Sequence, residues 1–246
     1  VKHTTMIGPL DAPQPTLPES HRRVIVRQPK PGEARQVARE SLEQFAEKAY
    51  RRPVAEKEVN RLLSFVDMVM ADGGSLEEGM QLATQAILVS PHFLFRWELD
   101  TRPVKDEPIR LLNDWELASR LSYFLWSSLP DAELFRLAKR GELAKPDVLA
   151  AQVRRMVADP RSSALVENFA GQWLQIRNLE GVAPDPVIFP AFDDSLRTAM
   201  KMETELFFEA LIKEDRSVME LIDADFTYLN GRLAKHYSID GVSGPK

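Results

Sequence analysis

The chain has no cysteine. That excludes disulfides, thiolate metal sites, a cysteine nucleophile and covalent c-type haem attachment within these residues. Long apolar runs are missing too. The longest, Ala86 to Phe95, is interrupted by Ser90-Pro91-His92, well short of the ~18 apolar residues of a membrane span. There is no surplus of cations: 32 Lys and Arg stand against 37 Asp and Glu, a formal charge of -5. Nucleic-acid surfaces are basic, and the local clusters His21-Arg22-Arg23 and Arg51-Arg52 sit among acidic neighbours, so no nucleic-acid partner is expected. No fixed-period repeat is present, which argues against a solenoid. The Gly73-Gly74 pair lacks a phosphate-loop pattern, and there is no G-x-S-x-G elbow. The four histidines have neither H-x-x-x-H nor H-E-x-x-H spacing, so no zinc site and no cofactor are expected in this chain.

What is present is helical patterning. At 246 residues with 44% hydrophobic side chains, the chain suits one large or two packed helical domains. From Glu33 onward helix signals dominate. One helix is expected over 33–51, stopped by Pro53, and a second over 55–71, ended by Asp72-Gly73-Gly74. Ser75 and Glu78 form a capping box for a third, and Pro91 kinks or restarts it. Asn113 and Glu116 open the next, and Leu129-Pro130-Asp131 starts another that Gly141 closes. Pro146-Asp147 begins a further helix, Asp159-Pro160 one that runs through Trp173, and short helices near 217–223 and 230–237 finish the chain. ILVSPHFLF and LSYFLW are apolar around most of their circumference and are expected to be nearly surrounded by protein.

Residues 1–32 differ: VKHTTMIGPL reads as a strand, DAPQPTLPES as a proline-rich connector, and HRRVIVRQP as a second extended stretch. The expected fold is therefore all-α, a compact multi-helix bundle of two packed helical subdomains with a short extended or β N-terminal segment. Residues 1–32 would end a preceding β-rich region, 33–100 form the first helical domain and 101–246 the second. Val1 is not an initiator methionine and GVSGPK supplies no closing element, which suggests a fragment of a longer or processed polypeptide.

Three constellations invite chemistry. In the helix AMKMETELFFEALIK (199–213), Lys201, Glu205, Glu209 and Lys213 share one face at i,i+4 spacing, a solvated ion-pair row. Met200, Leu206, Phe207, Ala210 and Leu211 make the opposite, buried face. Glu203 falls inside that buried arc, where a carboxylate must be paired, hydrogen-bonded or protonated. It reads either as a general acid or base or as half of a structural pair with Arg120, Arg177 or Arg197. Asp223 and Asp225, two apart at a helix-to-loop junction, suit a hard cation or an acid–base pair, or capping and turn formation at Asp225 and Asn230-Gly231. His92, between Pro91 and Phe93, is a ligand or catalytic histidine, or bonds a backbone carbonyl freed by the proline kink. His236 suits a helix C-terminus. Trp115, Trp126 and Trp173 are expected in the core, although a partly exposed one would serve as a sugar platform.

The segments FAEKAYRRPVAEKEVNRLL and GMQLATQAILVSPHFLFRWE resemble one helical domain of the large planctomycete secreted proteins. LNDWELASRLSYFLWSSLPDAELFRLAKRGEL, FAGQWLQI, FPAFDDSLRTAMKMETELFF and DADFTYLNGRLAKHYSI resemble the domain that follows it. Both are domains of unknown function, and the resemblance covers about residues 33–242. It implies export to an extracytoplasmic (periplasmic or secreted) location. It also implies neighbouring domains of the same polypeptide as partners, among them a c-type cytochrome domain that would carry haem c outside this chain. No catalytic residue is carried over. In that family cysteines often occupy the positions of Arg27 and Val37, as a disulfide; here the connector must be tied down otherwise or be mobile. The leading functional expectation is a noncatalytic helical scaffold or docking module. The alternatives are part of an extracytoplasmic enzyme, oxidoreductase or polysaccharide-active, with Glu203 as acid–base residue and Asp223, Asp225 or His92 nearby, and a noncovalent haem-docking surface using His92 or a methionine.

Overall fold

The computed structural model describes residues 18–98 and 110–244. Among these the regular elements are helical, with no strand. The expected strand and most of the proline-rich connector fall at 1–17, outside the described residues. The second extended stretch is a correction: Glu19–Val24 is a helical turn and a half, α1, with an i,i+4 ion pair between Glu19 and Arg23 at 2.6 Å. The chain divides into two compact units, Val1–Thr101 and Arg102–Lys246.

In the first unit, α2 (Ala34–Tyr50), α3 (Glu56–Ala71) and α4 (Leu76–Leu88) pack on one another, and α5 (Pro91–Leu94) follows after a break at Ser90. The capping box works as the sequence implies: Ser75 Oγ accepts from Glu78 N at 3.2 Å, and the Glu78 carboxylate accepts from Ser75 N at 2.7 Å. Gly79 lets α3 and α4 close up, since a Cβ there would lie 3.0 Å from Val66. Val37, Leu42, Leu63, Val66 and Ile87 are fully shielded from solvent at their centre.

The segment before α2 is tied down without a cross-link. Ile25 is buried, Val26 N donates to Ser41 Oγ at 3.1 Å, and Arg27 bridges Glu33 at 2.6 Å and Glu40 at 3.1 Å. Val37 is 0% exposed and part of the core.

The second unit begins with α6 (Asp114–Trp126), α7 (Ala132–Arg140) and α8 (Pro146–Ala158) around Ala118, Leu134, Leu143 and Met156. Asn113 Oδ1 accepts from Trp115 N and Glu116 N at 3.0 Å, the N-cap expected from sequence. Gly141 ends α7 at φ +66°, a left-handed position that glycine adopts without strain. The helix expected from Pro160 through Trp173 is present but not uniform. It opens as a 3-10 turn (Pro160–Ser162), passes through α9 (Ser163–Leu165), widens into a π turn (Val166–Ala170) and closes as α10 (Gly171–Trp173). Arg177 donates to Glu167 O at 3.1 Å, satisfying a carbonyl of the widened turn.

A 3-10 segment (Ile176–Gly181) precedes the long α11 (Asp194–Lys213), and α12 (Glu220–Asp223) and α13 (Gly231–Tyr237) follow. α11 contacts α13, the π turn and α8. Because it is covered by different neighbours along its length, it has no single buried stripe. Leu196, Ala199, Phe208, Ala210 and Leu211 are buried, whereas Leu206, expected inside, is 39% exposed.

Three other burial expectations are corrected. Val89, Leu94 and Phe95 of ILVSPHFLF and Phe124 of LSYFLW are exposed, as is Trp173, while Trp126 is in the core. No helix among the described residues is long and apolar enough to cross a membrane.

Candidate functional site

α11 carries Glu203 toward the C-terminal segment, and both of its carboxylate oxygens are taken by hydroxyls. Thr227 donates to Oε1 at 2.6 Å and Tyr237 donates to Oε2 at 2.9 Å. The side chain is half-buried, so the expectation of a carboxylate in the core is corrected to one at a partly exposed seam. Phe207 stacks on Phe226 at 5.1 Å beside it, and Arg216 covers the Phe226 ring at 4.3 Å.

The arginine partners proposed from sequence do not supply the compensation. Arg197 donates to Leu179 O and to Val182 O, the latter at 2.7 Å, and Arg177 reaches Asn168 Oδ1 at 2.5 Å. Among the described residues Glu203 makes no ion pair. Burial raises the pKa of the Tyr237 phenol, and its bond to the Glu203 charge raises it further. Tyr237 is therefore a proton donor held in its neutral form, not a base. Chemically the trio is a clip between α11 and the chain that returns along it. Thr227 and Tyr237 were not singled out in the sequence; the i,i+4 logic that placed Glu203 says nothing about residues 24 and 34 positions away.

Asp223 and Asp225 are exposed. Asp223 is the last residue of α12, and it is Asn230 that caps α13, accepting from Leu233 N at 3.0 Å. Neither aspartate belongs to a group of three or more metal-ligating side chains, and no such group occurs among the described residues. The hydrogen-bond partners of Glu203 are Thr227 and Tyr237, not Asp223 or Asp225.

His92 belongs to the first unit. Pro91 stands at the first turn of α5 and Ser90 caps it, accepting from His92 N at 3.3 Å. The imidazole lies 3.8 Å from Glu58 Oε1, 5.4 Å from the Tyr50 ring and 6.3 Å from Trp97. Glu58 is already engaged: Arg52 holds it through both oxygens at 2.8 and 2.9 Å, and Ala55 N donates to it at 2.9 Å. The Arg52 hydrogen bonds hold the Glu58 carboxyl below its ordinary pKa against the opposing effect of burial.

The carbonyls freed around Pro91 do not go to His92. Arg51, in the left-handed conformation that ends α2 (φ 56°), donates to His92 O at 2.8 Å and to Phe95 O at 2.9 Å. Its side chain is buried, and it is the structural centre that sequence reading missed; a cation between Tyr50 and Arg52 gave no signal of its burial. A cleft of ≈ 400 Å³ opens beside His92 between α3 and α4.

Each unit also presents a stacked aromatic pair on its surface. Phe95 and Trp97 stack at 5.7 Å and are 53% and 55% exposed. Phe169 and Trp173 stack at 5.7 Å and are 47% and 56% exposed, with Phe208 beneath them.

Neither the curated proteins nor the solved structures contain a match to this chain. Family models do match. Residues 37–98, spanning α2 to α5 and the Arg51 and His92 cluster, match a family described as Protein of unknown function (DUF1595). Residues 112–239, from the Asn113 cap to the Glu203 clip and the end of α13, match the family described as Protein of unknown function (DUF1592), and with more than half of its length matched the chain belongs to that family.

Proposed function

We propose that this chain is a noncatalytic helical docking module of a larger exported protein, and that its neighbours include a c-type cytochrome domain of the same polypeptide. The observation that carries this reading is the Phe169–Trp173 stack. Large aromatic surface left more than half exposed at Trp173 is costly for an isolated module and is characteristic of contact surfaces. The groups with chemical potential are occupied in holding the fold together: Glu203 by two hydroxyls, Glu58 by Arg52 and the start of α3. That favours a positioning role over an acid–base role for Glu203. Haem c would reside on the neighbouring domain, and the location would be extracytoplasmic, both as the family resemblance implies.

The test is a titration of this chain with the cytochrome domain from the same polypeptide, following tryptophan emission, which haem quenches at short range. Saturable quenching that is weakened at least tenfold in Trp173→Ala and Phe169→Ala supports docking through this surface. Absence of quenching, or quenching indifferent to both substitutions, overturns it. Glu203→Gln should leave the titration unchanged.

A further inference from the structure

The cleft beside His92 has a built chemical character. Along α3, Arg61, Leu62 and Phe65 line it at successive i+1 and i+3 positions, and Tyr50 from α2, Ala86 from α4 and His92 from α5 complete the lining. Its floor is apolar: Leu62 and Tyr50 are buried, and Phe65 and Ala86 pack against the core. Arg61 stands at the rim, exposed, and among the described residues its guanidinium has neither an ion pair nor a side-chain hydrogen bond. Glu58, the carboxylate in the lining, is neutralised by the two-oxygen grip of Arg52 and does not compete for Arg61. The volume, ≈ 400 Å³, lies in the range of small-molecule sites.

We propose that this cleft binds a planar aromatic carboxylate. The ring would lie on the Leu62–Phe65–Ala86 floor, beside the faces of Tyr50 and His92, which stand 5.4 Å apart. The carboxylate would reach Arg61, whose planar fork matches it through two parallel hydrogen bonds. The small Ala86 side chain is what leaves room for the ring, and a larger residue there would occupy the same space.

The probe is 1-naphthoate, with 1-naphthalenemethanol as its neutral counterpart, titrated into the full 246-residue chain and followed by amide chemical shifts. The expected result is saturable movement centred on Arg61, Ala86 and His92, with naphthoate bound about tenfold more tightly than the alcohol. Arg61→Gln, at an exposed position, should erase that difference, bringing naphthoate down to the affinity of the alcohol. Ala86→Leu, shown folded by its circular dichroism, should abolish binding of both. Absence of shifts at millimolar naphthoate, shifts centred elsewhere, or equal naphthoate affinity in Arg61→Gln and the parent would each overturn the proposal.

Discussion

Tyr237, near the end of the described chain, donates its phenolic hydrogen to Glu203 Oε2 on α11 at 2.9 Å. With Thr227 on the other oxygen at 2.6 Å, the carboxylate joins α11, the loop before α13 and α13 itself. α13 is only seven residues long, too short to be stable alone. Its order depends on Leu233 and Ala234 in the core and on this clip.

Removing one arm of the clip should loosen α13 before the rest of the unit. Tyr237→Phe is expected to cost about 1 kcal/mol, and Glu203→Ala about 1–2 kcal/mol because two charge-assisted bonds are lost from a half-solvated site. Urea unfolding with a double-mutant cycle checks this, and a coupling between the two positions near zero would exclude the clip. Hydrogen exchange should show α13 losing protection first. The pH dependence has a defined sign. A phenol whose folded pKa lies above its unfolded value of 10.0 contributes stability that is complete below that value and is lost as pH rises through the folded one. Tyr237→Phe should remove that alkaline dependence.

Arg51→Met should be among the most damaging substitutions in the first unit. Arg51 is 6% exposed, and its guanidinium serves carbonyls of His92, Phe93 and Phe95. Removing it leaves several partly buried acceptors unpaired, at an expected cost of about 2–4 kcal/mol. Trp97 sits two residues beyond Phe95 and stacks on it, so its emission should report the release of this segment at denaturant concentrations where the far-ultraviolet helix signal persists. Unchanged Trp97 emission would show that the packing of α5, and not Arg51, fixes the segment.

The helix boundaries were readable because caps and breakers act locally. Ser75 with Glu78, Asn113 with Glu116, Pro146 and Gly141 end or begin helices where the chain says they should. Burial was less readable because it depends on which neighbours arrive. A single amphipathic wheel assumes one buried side, and α11 is covered by α13 near one end and by the π turn and α8 near the other. That is why Leu206 is exposed and Glu203 lies at a seam instead of in a core. The π turn had no breaker to announce it, and the side chain that satisfies its Glu167 carbonyl, Arg177, comes from beyond the helix. The candidate residues were found one by one, but their partners Thr227, Tyr237, Arg52 and Arg51 emerge only from the tertiary arrangement.

Asp159 supplies an acid-range prediction. Arg161 grips its carboxylate at 2.7 and 2.9 Å, and the Arg161 amide donates to it at 2.9 Å. Those side-chain bonds first, and the amide bond next, pull its pKa from 3.8 to about 2. A depressed carboxyl contributes stability above its unfolded pKa and loses it as pH falls through the folded value. The window therefore runs from about pH 4 down to about pH 2. Carbon-detected NMR titration of Asp159 should give the low value, and Arg161→Gln should return it toward the ordinary range. Arg161 also lies 3.5 Å above the Trp126 ring, so Trp126 emission should change over the same pH interval.

Glu205 behaves in the opposite sense, and it departs from the solvated row in which the sequence places it. Only Glu209 and Lys213 form the expected i,i+4 pair, while Lys201 turns to Glu180 at 3.0 Å. Burial raises the Glu205 pKa, and the Glu167 and Glu180 charges add to that, with Lys201 opposing them. An acid with a raised folded pKa favours the folded state at low pH and loses that contribution as pH rises from its ordinary 4.5 through the higher value. Glu205→Gln should therefore be neutral near pH 4 and stabilising at pH 7, by about 0.5 kcal/mol or less at this partly solvated position. Lys201→Met should destabilise the parent chain more at pH 7 than near pH 4, and the Glu205→Gln background should reduce that difference, because the charge Lys201 opposes is then gone. Urea midpoints of the four proteins at the two pH values decide it. A Glu205→Gln chain less stable than the parent at pH 7 would mean that the ionised carboxylate is held favourably, by contacts stronger than its neighbours' repulsion.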